Sequence, residues 1–315
     1  MLMTQPRTDT CSSVRRTSML LALAMIVGGL GPACGRDTNR SIEQRFDLLN
    51  QVALTTRPLS DAARGAIIGG VYQQTFPPSG YGDLNDKDLE LAFRASQLAA
   101  FYTFQPRHAG DLLAALKELE RRSRATNDHR VKTYEILVRT RMLHQAQNLV
   151  AQHPDLTVET IPALREAPGI VPGHPTEWVV AADERALLRR PVDLTAGAQV
   201  IVVTHPLCHF SQAAARDIQT DPVLHELFRD HARWLARQDG RLYFDIIQQW
   251  NRENPDLQMT LTVESHEWPM SDVSGTPTFY FFDHGVVKAK VTGWPAEGRR
   301  AELVAAARTV GLLPP

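Results

Sequence analysis

Residues Gln199 to Ser211 have the sequence Gln-Val-Ile-Val-Val-Thr-His-Pro-Leu-Cys-His-Phe-Ser. The β-branched run from Val200 to Val203 is typical of a strand that is buried on both faces. Residues Thr204 to Pro206 interrupt this run, and an Ala-rich, helix-favouring segment begins near Cys208. We therefore predict that Cys208 lies where a core strand gives way to a helix. The free N–H groups and the positive dipole end of such a helix favour a thiolate over a thiol.

A second stretch, Ser274 to Phe282, has the sequence Ser-Gly-Thr-Pro-Thr-Phe-Tyr-Phe-Phe. An aromatic strand follows a Gly-Thr-Pro-Thr turn, and the next residues, Asp283-His284-Gly285, are typical of a hairpin turn. A proline directly before a buried strand requires an unusual backbone. We therefore predict a cis peptide bond before Pro277.

Together the two stretches resemble the thioredoxin-like superfamily. In that family a Cys-x-x-Cys or Cys-x-x-Ser begins the first core helix, and a cis-proline loop, often Gly-Thr-Pro-Thr-Phe, packs beside the cysteine. Here Cys208-His-Phe-Ser211 matches the Cys-x-x-Ser form and Thr276-Pro277 matches the loop, whereas Pro206-Leu207 stand where the family usually has an aromatic residue. The resemblance covers about Thr176 to Leu313 and implies an α/β thioredoxin-like fold with a helical insertion there.

Length and composition bound the remaining possibilities. A chain of 315 residues with 43% apolar and 22% charged residues is an ordinary globular protein of about two domains. The formal net charge of −1 provides no global field for nucleic acid, so no nucleic-acid partner is expected. Eleven histidines are present without a metal-site spacing, so we expect no metal and no cofactor.

The N-terminal residues 1–34 have the pattern of an export signal. Three arginines precede a short apolar run at residues 19–30, and Ala33 and Cys34 follow it. Cys34 is the predicted lipidation site of a bacterial lipoprotein, although Gly31 stands where that pattern prefers an aliphatic residue. Simple secretion and an uncleaved anchor remain open alternatives. The predicted location is the periplasm, with the membrane reached through lipid on Cys34.

Residues 35–40 are predicted to be a polar tether, and residues 41–153 an all-α domain. Apolar residues recur at helical spacing in five segments. The predicted helices begin near residues 41, 60, 86, 111 and 130, and the last is expected to continue to about Gln152. Two interpretations of this domain remain open: a plain packing extension, or a surface that binds peptides.

Five prolines in residues 154–175 predict an extended linker, and residues 176–315 the thioredoxin-like domain. A strand is predicted from Thr176 and a strand or loop after it. We predict a helix from Pro222 that carries Trp234 and Leu235 and ends at Asp239-Gly240. A further helix, a strand at residues 257–263, the hairpin, and a final helix at residues 297–310 complete the prediction.

The chemistry of a lone cysteine at this position is that of a monothiol. The predicted nucleophile is Cys208, whose pKa a protonated His209 would lower. Ser211 occupies the position of the resolving cysteine, and its hydroxyl can hydrogen-bond the thiolate but cannot displace sulfur. Turnover therefore needs an outside thiol or the substrate's own second cysteine. The resemblance further implies that Thr276 and Pro277 hold an extended substrate.

Two functions follow from these residues. The first is an exported, membrane-tethered thiol-disulfide oxidoreductase or isomerase that acts on protein or small-molecule disulfides and thiols. The alternative is a non-catalytic, degenerate thioredoxin-fold adaptor that binds an envelope protein. A separate alternative for Cys208 itself is a buried core cysteine. A one-cysteine peroxidase fits less well, because its pattern requires Thr three residues before the cysteine and Thr204 lies four before. His205 and Trp294 are interpreted as structural.

Overall fold

The computed structural model describes residues 40–76, 80–270 and 275–314. The predicted signal at residues 1–34 and most of the predicted tether lie outside these residues. From Arg40 onwards the chain forms one compact unit. The described part of that unit contains ten α-helices and one mixed, eight-stranded β-sheet.

Among the described residues, six α-helices precede all strands of the sheet in the chain. Their starts follow ordinary capping chemistry: the Ser41 hydroxyl accepts from the Gln44 N–H, and the Asn85 carboxamide accepts from the Asp88 N–H. The helices are α1 (Ile42–Thr55), α2 (Asp61–Thr75), α3 (Asp86–Thr103), α4 (Pro106–Arg121), α5 (Asn127–Arg139) and α6 (Leu143–Gln152).

The predicted fifth helix at residues 130–152 is two helices, α5 and α6, and the continuous prediction was wrong. The break falls at Arg141, which has a left-handed backbone with φ of 58°. Its guanidinium donates to the carbonyls of Thr262 and Val263 at 3.1 Å and of Val138 at 3.1 Å. These tertiary bonds stabilise a turn that the helical pattern of the sequence does not reveal.

The sheet has the strand order β1-β3-β2-β6-β5-β4-β7-β8. Its strands are β1 (Ala163–Glu166), β2 (Thr176–Val180), β3 (Ala186–Pro191), β4 (Ala198–Thr204), β5 (Ala232–Ala236), β6 (Met259–Thr262), β7 (Thr278–Asp283) and β8 (Val286–Thr292). The strands β4, β5 and β6 are parallel, whereas β7 and β8 form an antiparallel hairpin beside β4. The remaining helices are α7 (His209–Thr220), α8 (Pro222–His231), α9 (Phe244–Glu253) and α10 (Arg300–Thr309).

The structure differs from the sequence prediction at strand β5. Trp234 and Leu235 were expected on a long helix from Pro222, but that helix, α8, ends at His231. Both side chains are buried, Trp234 in the core under the helices and Leu235 in a separate core on the other face. Adjacent residues that are buried on opposite faces require a strand. The predicted linker likewise contains a strand, β1, which pairs with β3 in parallel.

The largest core joins the helices to the sheet. Leu116 of α4, Leu137 of α5 and Leu149 of α6 belong to the same buried cluster as Val202 of β4 and Phe279 of β7. A smaller core covers the opposite face of the sheet. Among the described residues no helix combines the length and the apolar character needed to cross a bilayer. The mixed sheet, the helix after β4 and the final hairpin and helix are consistent with a thioredoxin-like fold.

Candidate functional site

Cys208 lies directly before the first residue of α7, four residues after β4 ends. It has an extended backbone, and its carbonyl accepts from the Gln212 N–H at 3.0 Å. The residue is half-buried. A cysteine at a helix N-terminus is exposed to the positive end of the dipole, which favours a thiolate.

The structure brings Cys208 beside the proline loop. The Cys208 Sγ donates to the Thr276 carbonyl at 3.4 Å, although the two residues are 68 positions apart. The pairing of β4 with β7 explains this contact, because Val203 near the end of β4 lies opposite Thr278 at the start of β7. The Thr276–Pro277 peptide bond is cis, and Pro277 is buried.

Local hydrogen bonds control the ionisation of the thiol. Burial of the sulfur acts against the thiolate. Hydrogen bonds from the Thr276 side chain, from the backbone and side chain of Ser211, and from the Phe210 backbone outweigh it, so the pKa of Cys208 lies below its ordinary value. The Thr276 carbonyl accepts from the S–H and so favours the thiol, but it does not reverse the direction. These contacts favour the thiolate form of Cys208.

Ser211 and His209 differ in how they relate to the sulfur. Ser211 is fully buried, and within the described residues its hydroxyl has no hydrogen-bond partner of ordinary geometry, yet it contributes to the lowered pKa of Cys208. His209 is exposed, and its ring lies against Phe210 with the ring centroids 3.9 Å apart. The main contributions to the lowered pKa come from other groups, so the expected role of His209 stays a prediction.

Two exposed apolar side chains flank the cysteine. Neither was among the predicted site residues. Leu207 is 55% exposed and Phe210 is 46% exposed. Large exposed apolar side chains next to a reactive thiol form a surface that excludes water from a docked partner. The position of Phe210 between the two ends of the Cys-x-x-Ser motif was the available signal.

A histidine-aspartate pair lies next to the segment between β4 and Cys208. The Nε2 atom of His205 lies 3.3 Å from the Oδ2 atom of Asp239. Asp239 is half-buried, which acts to raise its pKa, but the contact with His205, the Gly240 N–H and the charge of Arg139 lower the pKa to about 2. Asp239 is therefore a carboxylate at neutral pH. The sequence pattern around Asp239 indicates only the end of a helix.

In residues 40–76, 80–270 and 275–314 no cluster of three or more His, Cys, Asp or Glu side chains could hold a metal ion. Cys208 is the free cysteine of this part of the chain. Cys34, the predicted lipidation site, lies outside it.

Comparison with known proteins gives a distant likeness to one solved structure. No protein-family model and no curated protein matches the chain. A solved structure, that of a thioredoxin-like protein from Bacteroides caccae ATCC 43185, is similar to it at 12% sequence identity. The match covers 82% of this chain and 92% of that chain, with a TM-score of 0.28. Similarity at this level gives no information on shared activity.

Proposed function

We propose that the protein is a thiol-disulfide oxidoreductase or isomerase that uses Cys208 as its single nucleophile. One observation carries this proposal: the half-buried Cys208, whose pKa is lowered, lies at a helix N-terminus with its sulfur 3.4 Å from the carbonyl of Thr276. A thiolate attacks disulfide sulfur, whereas a thiol does not. A cysteine that only packs in the core does not require a helix N-terminus or hydrogen bonds that lower its pKa.

The reaction begins when the Cys208 thiolate attacks one sulfur of a substrate disulfide. A bond forms between Cys208 and that sulfur, the substrate S–S bond breaks, and the second substrate sulfur leaves as a thiolate that takes up a proton. Ser211 has no sulfur with which to resolve this mixed disulfide. A second thiolate must therefore attack it and release the Cys208 thiolate.

The source of the second thiolate decides the net reaction. If it belongs to another cysteine of the substrate, a new substrate disulfide forms, no electrons are transferred overall, and the reaction is isomerisation. If it belongs to an external thiol, two such thiols give up two electrons to reduce the substrate disulfide. Both routes are open to a monothiol, because neither requires Cys208 to store an internal disulfide.

The surroundings of the thiol favour a protein substrate. Leu207 and Phe210 offer exposed apolar area on both sides of Cys208. The Thr276 and Pro277 loop supplies backbone next to the sulfur. An extended polypeptide with apolar side chains near its cysteine would bury this surface, and each large side chain that is fully buried contributes about 1.5–3 kcal/mol.

The proposal includes export and a lipid tether at Cys34. It is supported by the apolar run at residues 19–30 and the Ala33-Cys34 sequence after it. The proposed location is the periplasm, at the membrane surface. The intact mass of the protein from cells distinguishes the alternatives, since a lipidated Cys34, a chain cut without lipid and an uncut chain have different masses.

The test compares wild type with Cys208→Ser in a disulfide-exchange assay on a model protein with scrambled disulfides, with and without an added small thiol. We expect activity in the wild type only, together with a mixed disulfide on Cys208 that mass spectrometry detects. Activity without the added thiol indicates isomerisation. If Cys208→Ser is as active as wild type, or neither protein forms the adduct, the proposal fails. Retention of an envelope partner by Cys208→Ala would then support the adaptor alternative.

A further inference from the structure

The loop between β4 and α7 is a tight turn whose N–H groups are bound by one residue. The Cys208 N–H donates to the His205 carbonyl at 2.9 Å, which closes a four-residue turn from His205 to Cys208. Pro206 occupies the second position of this turn, where proline is favoured and has no N–H to satisfy. The Leu207 N–H donates to the Nδ1 atom of the His205 ring at 3.2 Å.

The imidazole of His205 can accept from Leu207 only in one tautomer. Because Nδ1 accepts, the proton of the neutral ring resides on Nε2. The Nε2 atom faces Oδ2 of Asp239 at 3.3 Å, and that carboxylate is held in turn by the Gly240 N–H at 2.6 Å. The carboxylate thus selects the tautomer that the turn needs, as a carboxylate partner commonly does for a functional histidine.

Packing restricts the ring further. The His205 side chain is only 16% exposed, and its ring meets Tyr243 edge-on with the centroids 5.1 Å apart. Arg139, from the C-terminal end of α5, lies 3.4 Å from the other oxygen of Asp239. The ring is therefore contacted on two sides, by Tyr243 and by Asp239, and the helical part of the chain contacts Asp239 through Arg139.

We propose that His205 is the positioning residue of the reactive loop: its ring and its carbonyl hold the turn that presents Cys208 to Thr276 and to the start of α7. This inference rests on the proposed function only in taking Cys208 as the reacting group. His205 does not touch the sulfur itself. It acts by accepting both N–H groups of the turn, and Asp239 acts by keeping the Nδ1 atom free of a proton.

Two substitutions separate the acceptor from the rest of the ring. Asn has its side-chain oxygen at the position of Nδ1 and accepts the N–H two residues on, so His205→Asn keeps the turn. His205→Ala removes the acceptor. We expect His205→Ala to raise the pKa of Cys208 by about one unit, which lowers the rate of its alkylation by iodoacetamide near pH 6 about tenfold. His205→Asn should restore most of that rate.

A matched control is present on α8. His225 also contacts an aspartate, Asp256, at 3.0 Å, but this pair is exposed and lies outside the turn. His225→Ala should leave the alkylation profile of Cys208 unchanged. If His205→Ala also leaves it unchanged, or if Ala and Asn at position 205 give the same profile, the inference is wrong.

A measurement on the wild-type protein tests the inference even if a variant fails to fold. Long-range proton-nitrogen correlation spectra distinguish a protonated ring nitrogen from an unprotonated one. We expect Nδ1 of His205 to be unprotonated and Nε2 protonated near pH 8, and the opposite tautomer would overturn the inference. Neither this spectrum nor the alkylation profile requires turnover, so a wild-type protein that reacts as expected but exchanges no disulfides would refute the proposed function and leave the role of His205 standing.

Discussion

Replacing Ser211 by Ala should change the reactivity of Cys208 and the stability of the fold in opposite directions. The Ser211 hydroxyl is fully buried and, within the described residues, lacks a hydrogen-bond partner of ordinary geometry. It also contributes to the lowered pKa of Cys208. Removing it therefore takes away a cost to folding and a stabiliser of the thiolate in one step.

Both magnitudes follow from these contacts. A hydrogen bond to a charged group contributes about 1.5–3 kcal/mol. The Ser211 hydroxyl forms no hydrogen bond of ordinary geometry, so we expect a smaller contribution. Its loss should raise the pKa of Cys208 by about one unit at most, which corresponds to about 1.4 kcal/mol. A buried polar group without a partner costs about 1–3 kcal/mol, and Ala also favours a helix. We expect Ser211→Ala to raise the free energy of unfolding by about 1 kcal/mol.

The assay pairs two measurements on each variant. The pH dependence of iodoacetamide alkylation gives the pKa of Cys208, and urea unfolding gives the stability. Ser96→Ala is the matched control, because Ser96 is equally buried in a helix but its hydroxyl donates to the carbonyls of Ala92 and Phe93 at 3.0 and 2.9 Å. It should leave the pKa of Cys208 unchanged. A Ser211→Ala protein with an unchanged or lower pKa, or one destabilised by more than about 1 kcal/mol, would refute the reasoning.

Three further predictions concern carboxylates. Glu177→Gln should lower the free energy of unfolding by about 3 kcal/mol in urea, because the fully buried carboxylate pairs with two arginines, whereas the exposed Glu166→Gln control should change it by about 0.5 kcal/mol or less. Glu159→Ala should cost about 1 kcal/mol in the same assay, since the carboxylate accepts the Leu242 and Phe244 N–H groups at the start of α9. Asp239 has a pKa depressed from 3.8 to about 2, so the stability it contributes is present above pH 3.8 and is lost as the pH falls towards 2; acid unfolding of Asp239→Asn should lack that loss.

The sequence was most informative where a run of consecutive apolar residues forms one buried strand. The run from Val200 to Val203 is buried on both faces and indeed forms β4, and the aromatic run after Pro277 forms β7. Strand β5 could not be found in the same way, because no glycine or proline separates it from α8 and its five residues include one arginine and two alanines. The apolar spacing of Trp234 and Leu235 continues that of the helix, and only their burial on opposite faces reveals the strand.

That missed strand also concealed part of the site. The proximity of Cys208 to Thr276 could be predicted, because two motifs 68 positions apart resembled one family. The pairing of His205 with Asp239 could not. It depends on the parallel register of β4 and β5, in which Thr204 lies opposite Ala236. The residues that leave the two strands therefore meet at the same edge of the sheet. With Asp239 assigned to a helix end, nothing in the sequence related it to His205.

At the same edge of the sheet, a series of contacts connects the helical part of the chain to the turn that holds Cys208. The Gln238 side chain donates to the Arg139 carbonyl at 2.6 Å, directly before Asp239, and the Arg139 guanidinium stacks on the Phe101 ring at 3.9 Å. The end of α5 is thereby fixed to the segment that carries Asp239, and Asp239 in turn fixes the ring of His205. A displacement of α5 would move the carboxylate first, then the ring, and then the turn that holds Cys208. Because these contacts are partly buried and follow one another from α5 to the turn, we expect the helices to influence the environment of the thiol.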